Sequence, residues 1–217
     1  MHAWGIRVRA ISLPGAAGRR PPRPATTRRD RRGPYHHGVS GPTLSADGLR
    51  LVPLSSIDVD EMYALADDPD TLRFTYVSAP FTHTDATAWV RRYVDGWEDG
   101  TCAGFAIRDG EGAFLGFIAI VRIEGEAEQG EIGYIVAPGA RGRGVATVAL
   151  RCITDWALGD RGLERVELRI GSDNAGSIAV AERAGYRYEG TMRSLYFKDG
   201  RRSDTLVYSR IPSDAKS

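Results

Sequence analysis

Between Pro138 and Ala146 the chain reads Pro-Gly-Ala-Arg-Gly-Arg-Gly-Val-Ala, and the run stands between a strand-like stretch, Glu131 to Val136, and an amphipathic one, Val145 to Leu158. A strand, a glycine loop and a helix in that order can hold a phosphate. The first N–H groups of a helix have no partner inside it, the helix dipole adds partial positive charge there, and glycines let the backbone approach closely. Gly142 and Gly144 supply that approach, and Arg141 and Arg143 add positive charge at the rim. Two nucleotide patterns fit poorly. A P-loop needs Lys and then Ser or Thr where Val145 and Ala146 stand, and a dinucleotide loop needs glycine or alanine where Thr147 stands. A glycine-rich connection with no ligand is the competing reading.

The elements that must position this loop follow from periodicity. Leu49–Leu54 alternates as a strand; Ser56 caps a helix to Ala66, and Thr84 caps a second, Asp85–Trp97. Phe105–Arg108, Phe114–Ile123 and Glu131–Val136 read as a three-strand meander. In Val145–Leu158, residues Val145, Val148, Ala149, Cys152, Ile153 and Trp156 make one apolar stripe. Strand Arg165–Ile170, helix Asn174–Ala184 ended by Gly185, and strands Tyr186–Met192 and Thr205–Ile211 complete an α+β (α/β) domain without internal repeats.

Composition bounds the function. The chain has 217 residues, 42% hydrophobic and 26% charged, the balance of a protein with a sizeable core. Its longest uncharged apolar run, Gly112–Val121, is half of the roughly 20 residues a bilayer-spanning helix needs, so no membrane partner is expected. Residues 1–40 hold nine Arg and one Asp, which leaves 20 basic and 27 acidic residues for the rest, so the folded part is not expected to bind nucleic acid. Residues 1–45 read as a disordered Arg/Pro/Gly-rich tail, 46–213 as the domain and 214–217 as a short C-terminal tail. The lack of a secretory apolar core points to a cytoplasmic protein. Cys102 and Cys152 are too few for a disulfide framework, and His2, His36, His37 and His83 are too scattered for a metal site, so no metal is expected.

Arg141-Gly142-Arg143-Gly144-Val145-Ala146 resembles the R/Q-x-x-G-x-G/A signature of the GNAT superfamily of acetyl-CoA-dependent N-acetyltransferases. Further on, Asn174-Ala175-Gly176-Ser177 and Glu182-Arg183-Ala184-Gly185-Tyr186 resemble the N-x-x-S…E-K-x-G-F segment of its ribosomal-protein N-terminal acetyltransferase (RimJ/RimL-type) branch, with Arg183 for Lys and Tyr186 for Phe. The resemblance implies a mixed sheet of six or seven strands with helices on both faces. Its central strands, Glu131–Val136 and Arg165–Ile170, would be splayed to admit the pantetheine arm of acetyl-CoA. It also implies the cofactor-binding residues: Ile135, Val136, Arg141, Gly142, Arg143, Gly144, Val145, Ala146, Asn174 and Ser177.

By the same resemblance, the amide of Val136 or its neighbour polarises the thioester, Asn174 binds the pantetheine arm, Ser177 protonates the leaving thiolate and Glu131 is the base. The tyrosine acid of another branch is absent, because Ala181 stands at its position. Asn174 as a helix cap, Ser177 as a small helical residue and Glu131 as an exposed strand-end acid are the competing structural readings. The acceptor is expected to be a protein N-terminus or a small cationic amine, drawn by Asp58, Asp60, Glu61, Asp67, Asp68 and Asp70, which read otherwise as a solvated face. Trp89, Tyr93 and Trp97 form either a pocket lining or a buried stripe, and Leu195–Asp204, with Tyr196 and Asp204, is placed over the site. A homodimer is among the assemblies the resemblance allows. The alternative function is a non-catalytic acyl-CoA-binding regulatory module.

Overall fold

The structure is a computed structural model that describes residues 41–77 and 79–216; the expected Arg-rich tail therefore lies, up to residue 40, outside the described residues. Eight strands form one sheet: β1 (Leu44–Ala46), β2 (Leu49–Pro53), β3 (Ala103–Arg108), β4 (Phe114–Glu124), β5 (Gln129–Val136), β6 (Arg165–Gly171), β7 (Arg187–Lys198) and β8 (Arg201–Arg210). Their order is β1-β2-β3-β4-β5-β6-β8-β7. Five helices accompany them: α1 (Val59–Ala66), α2 (Pro69–Phe74), α3 (His83–Asp99), α4 (Val145–Leu158) and α5 (Ala175–Arg183).

The strand count exceeds the expected six or seven because Leu44–Ala46 pairs antiparallel with β2, a strand too short to show a period. Helix α2 was not anticipated for the same reason. Helix α3 starts earlier than expected. Its cap is Thr82, not Thr84: the Thr82 hydroxyl accepts from the Asp85 amide at 3.2 Å while the Asp85 carboxylate accepts from the Thr82 amide at 2.8 Å, a reciprocal capping box. Before α1, Ser55 rather than Ser56 takes the cap position of a 3-10 turn, Ser56–Asp58, whose Asp58 carboxylate accepts from the Ser55 amide. The last strands are also longer than expected, since β7 and β8 run as a hairpin to Lys198↔Arg201 around Asp199-Gly200. At the C-terminus, where a tail from 214 was expected, Pro212–Lys216 forms a 3-10 turn.

Alternation along the strands builds a core on each face of the sheet. Phe105 and Ile107 of β3 pack with Ile118, Ile120 and the α4 residues Ala149, Leu150 and Ile153. Ala106, between them, faces Met62, Leu65, Val90, Tyr93 and Phe117 of the α1/α3 side. Full burial of Ile153 contributes about 1.5–3 kcal/mol to fixing α4, and hence the loop before it.

Every neighbouring strand pair is antiparallel except β5 and β6. These two pair only through Gln129↔Arg165, Gly130↔Val166 and Glu131↔Glu167. Beyond Glu131 the ladder ends while β5 keeps its partner β4 up to Gly116↔Val136, so the two central strands part toward their C-terminal ends, as expected.

Candidate active site

The glycine loop lies at the open end of that gap. From Val136 the chain passes through a short 3-10 turn, Pro138–Ala140, and enters α4 at Gly144, a left-handed N-cap with φ +81°. Gly142 is left-handed too, at φ +72°. A Cβ at either position would meet nothing within 4 Å, so both glycines face open space. Arg141 donates its amide to the Pro138 carbonyl, and Val148 is the next residue whose amide bonds, to Gly144. Among the described residues the amides from Gly142 to Thr147 therefore have no hydrogen-bond partner. Six consecutive free donors at the positive end of a fourteen-residue helix form an anion cradle.

The parted strands add further donors. Ala137 gives its amide to Leu115 on β4 at 2.9 Å, so by the two-residue period the amides of Val136 and Tyr134 turn the other way, toward β6. Ile135 pairs with Phe117, which puts its amide on the β4 side. Of the two strand residues expected to bind the cofactor, Val136 thus presents its amide to the gap, and Ile135 does not.

Across the gap, Asn174 is the N-cap of α5, its Oδ1 accepting from the Ser177 amide at 3.0 Å. That is the capping geometry; it leaves the Asn174 NH2 group unengaged among the described residues. The Ser177 carbonyl accepts from the Tyr134 hydroxyl at 3.4 Å, while the Ser177 hydroxyl has no partner among them. Burial pushes the Tyr134 hydroxyl up to about 12. No sequence signal marks Tyr134, which reads as an ordinary strand aromatic.

Glu131 sits where the ladder ends. Its carboxylate lies 3.6 Å from Arg169 on β6 and 3.5 Å from Arg122 on β4, with a quarter of the side chain exposed. Burial raises its proton affinity above the ordinary glutamate range, against the pull of Arg169 and Arg122. It is thus a half-buried acid held between two guanidiniums, not a free strand-end carboxylate. Tyr76 is near enough that the Glu131 charge adds to the effect of burial in raising its own proton affinity.

Arg141 and Arg143 differ. Arg143 is exposed. Arg141 donates its Nε to the Val136 carbonyl at 3.1 Å and grips Asp68 and Asp70 of α2 with its terminal nitrogens, so its charge is already matched. The acidic set expected to attract a cation is likewise mostly engaged: Asp58 and Glu61 with Arg108, and Asp60 with His83. Of the six, only Asp67 has neither an ion-pair nor a hydrogen-bond partner for its side chain among the described residues. The field of these acidic residues is weaker than the sequence suggested.

The aromatic stripe of α3 packs on the core: Tyr93 is buried, half-buried Trp89 packs edge-on against Phe117, and half-buried Trp97 packs against Phe105 and Trp156. Cys102 is buried and Cys152 half-buried. The β7–β8 hairpin does reach toward α2. Tyr196 stacks on Tyr76 with centroids 4.5 Å apart and donates its hydroxyl to the Thr75 carbonyl at 2.7 Å. Lys198 gives its ammonium to the carbonyls of Leu72, Thr75 and Val77. Asp204 instead bonds within the hairpin, to the Ser194 amide. No helix among the described residues is long and apolar enough to cross a membrane.

The family model described as "Acetyltransferase (GNAT) domain" matches residues 48–187. Over 123 residues the chain is 31% identical to the "Putative ribosomal N-acetyltransferase YdaF" of Bacillus subtilis (strain 168); the match spans 57% of this chain and 64% of that one. The fold is similar to that of Mycobacterium smegmatis RimJ in complex with CoA-disulfide, with a TM-score of 0.73 at 22% identity over 81% of this chain and 88% of that one. It is also similar to spermidine N-acetyltransferase from Vibrio cholerae in complex with CoA and spermine, with a TM-score of 0.70 at 18% identity over 78% of this chain and 99% of that one.

Proposed function

The chain belongs to the GNAT acetyltransferase family, and from that premise we propose that it transfers an acetyl group from acetyl-CoA to a primary amine by direct attack in a ternary complex. The observation that carries the reading is the run of free amides from Gly142 to Thr147, set at the mouth of the gap between β5 and β6. The residues present suit the coenzyme: a diphosphate meets peptide N–H groups and open space above Gly142 and Gly144, and an extended pantetheine arm finds the unpaired edge of β5.

Acetyl-CoA supplies an acetyl group activated as a thioester. The protein supplies alignment, charge stabilisation and proton traffic. In this reading the Tyr134 and Val136 amides on the open edge of β5 donate hydrogen bonds to the thioester oxygen as negative charge develops on it. As the amine nitrogen bonds to the carbonyl carbon, the carbon–sulfur bond breaks; the sulfur takes a proton from water, or from the Ser177 hydroxyl as water returns one to it, and the nitrogen sheds one toward Glu131. Three residues of strand, about 10 Å, separate Glu131 from Tyr134, so the proton reaches Glu131 through water. The Asn174 NH2 group is free to bond the pantetheine arm while Oδ1 caps α5.

The acceptor class is a protein N-terminus or a small amine. YdaF is named a "Putative ribosomal N-acetyltransferase", and the V. cholerae neighbour is a spermidine N-acetyltransferase in complex with spermine. Titration of the full chain with acetyl-CoA in a calorimeter, followed by a thiol-release screen over peptide N-termini, polyamines and amino acids, tests the reading. Heat together with thiol release supports transfer; heat without release for any amine points to a non-catalytic acyl-CoA-binding module; no heat at millimolar acetyl-CoA overturns the reading.

A further inference from the structure

Helix α2 is six residues long, about 9 Å, and bridges the open ends of β5 and β6. Its Asp68 cap and Asp70 are held by Arg141, which follows β5, and its Arg73 pairs at 3.0 Å with Asp173, which follows β6. Its far end is clasped by Lys198 and Tyr196 of the β7–β8 hairpin. Only Thr71 of α2 is buried, so polar ties rather than apolar packing hold the helix over the gap.

The tie at Arg141 is the informative one, because Arg141 is also the first residue of the glycine loop. Its guanidinium is spent on the Val136 carbonyl and two aspartates, and Asp68 is itself committed to α2, accepting from the Thr71 amide at 2.9 Å. Burial alone would raise the Asp68 proton affinity, but Arg141 and Thr71 outweigh it and hold the carboxyl below the ordinary aspartate range. Moving Arg141 onto a diphosphate would leave both aspartates unmatched beside a new dianion. Keeping it on α2 costs nothing when the amides from Gly142 to Thr147 hold the phosphates unaided.

We propose that Arg141 is a positioning residue: coenzyme bound to the glycine loop immobilises the Arg141 backbone, and Arg141 transmits that order to α2, setting the helix across the open end of the gap before the acceptor arrives. The proposal rests on the coenzyme reading above. Asp68 and Asp70 belong to the acidic set expected to draw the acceptor, so ordering α2 couples acceptor binding to coenzyme binding through one named side chain.

The test uses the full chain and coenzyme A, with hydrogen exchange read over α2 and affinity read by calorimetry. In the wild type, saturating coenzyme A slows exchange of the Leu72 and Thr75 amides by about tenfold. Asp68→Asn with Asp70→Asn abolishes this slowing while leaving coenzyme affinity within about threefold, since asparagine at 68 keeps the cap and removes the charge, and Arg141→Gln abolishes the slowing as well. Faster α2 exchange on coenzyme binding means Arg141 swings to the phosphates and overturns the proposal. So does unchanged exchange, or a loss of affinity of more than about tenfold in Arg141→Gln with the aspartate variant unaffected. If the wild type gives no heat with coenzyme A, the functional reading fails and this inference with it; heat without protection of α2 defeats the inference alone.

Discussion

The Tyr134 hydroxyl on β5 donates to the Ser177 carbonyl in the first turn of α5 at 3.4 Å, spanning the gap where the β5–β6 ladder has ended. The bond joins the parted halves of the sheet, and burial keeps its donor protonated by pushing the hydroxyl up to about 12. Tyr134→Phe is expected to lose about 1 kcal/mol in equilibrium urea unfolding, the net worth of one such bond. The pH–rate profile between 6 and 9 keeps its shape in the variant. A new or shifted limb there would show that the phenol titrates during turnover.

Two glycines separate the site from the scaffold. Gly142, at φ +72°, has open space where a Cβ would go. Gly142→Ala therefore costs only the left-handed backbone, about 1 kcal/mol, yet puts a methyl group where phosphate approaches; coenzyme affinity falls more than stability does. Gly116 lies on β4 opposite Val136 at φ +151°, and a Cβ there would run into the Ile135 carbonyl oxygen. Gly116→Ala is expected to cost more than about 2 kcal/mol and to loosen β5 itself. Calorimetry with coenzyme A beside urea titration distinguishes the two effects, and equal stability losses would contradict the assignment.

Local pattern carried much of this architecture. The α4 stripe, the β3–β5 meander and the glycine loop were legible because each is a period or a turn signal confined to a few residues. What escaped was either too short to have a period, as in Leu44–Ala46 and Pro69–Phe74, or depended on partners distant in sequence. The grip of Arg141 on Asp68 and Asp70 joins positions 71 to 73 residues apart, which no local pattern reveals. The far half of β7 was missed because it is largely exposed and so carries no apolar alternation. At Asn174 the same spacing predicts a ligand and a cap. The structure shows the cap and leaves the amide group free, so the two readings are compatible.

Outside the site, Arg165 and then Ser209 hold the Glu189 carboxyl at about 2, well below the ordinary glutamate value of 4.5. A depressed value in the folded state means that the contribution is present above the unfolded value and lost as the pH falls from about 4.5 through 2. Glu189 is two-fifths exposed, so solvent screening limits the effect to about 1 kcal/mol at neutral pH. Glu189→Gln is expected to be less stable than wild type by that amount at pH 7, with the difference closing near pH 2. A difference that persists in acid would assign the effect to packing.

Glu131 shifts the opposite way, and its sign distinguishes catalysis from structure. Burial raises its proton affinity in the folded chain, so the folded state binds the proton more tightly than the unfolded one, and ionising Glu131 costs stability above the raised value. Relative to Glu131→Gln, the wild type therefore gains stability as the pH falls through that value. Activity runs the other way, because a base must be ionised to accept the amine proton. The rate rises through an apparent pKa above 4.5, and Glu131→Gln removes that limb and lowers turnover by about a hundredfold without changing coenzyme affinity. A Gln variant with wild-type turnover and an intact acidic limb would show that the carboxylate between Arg122 and Arg169 only braces the strands where they part.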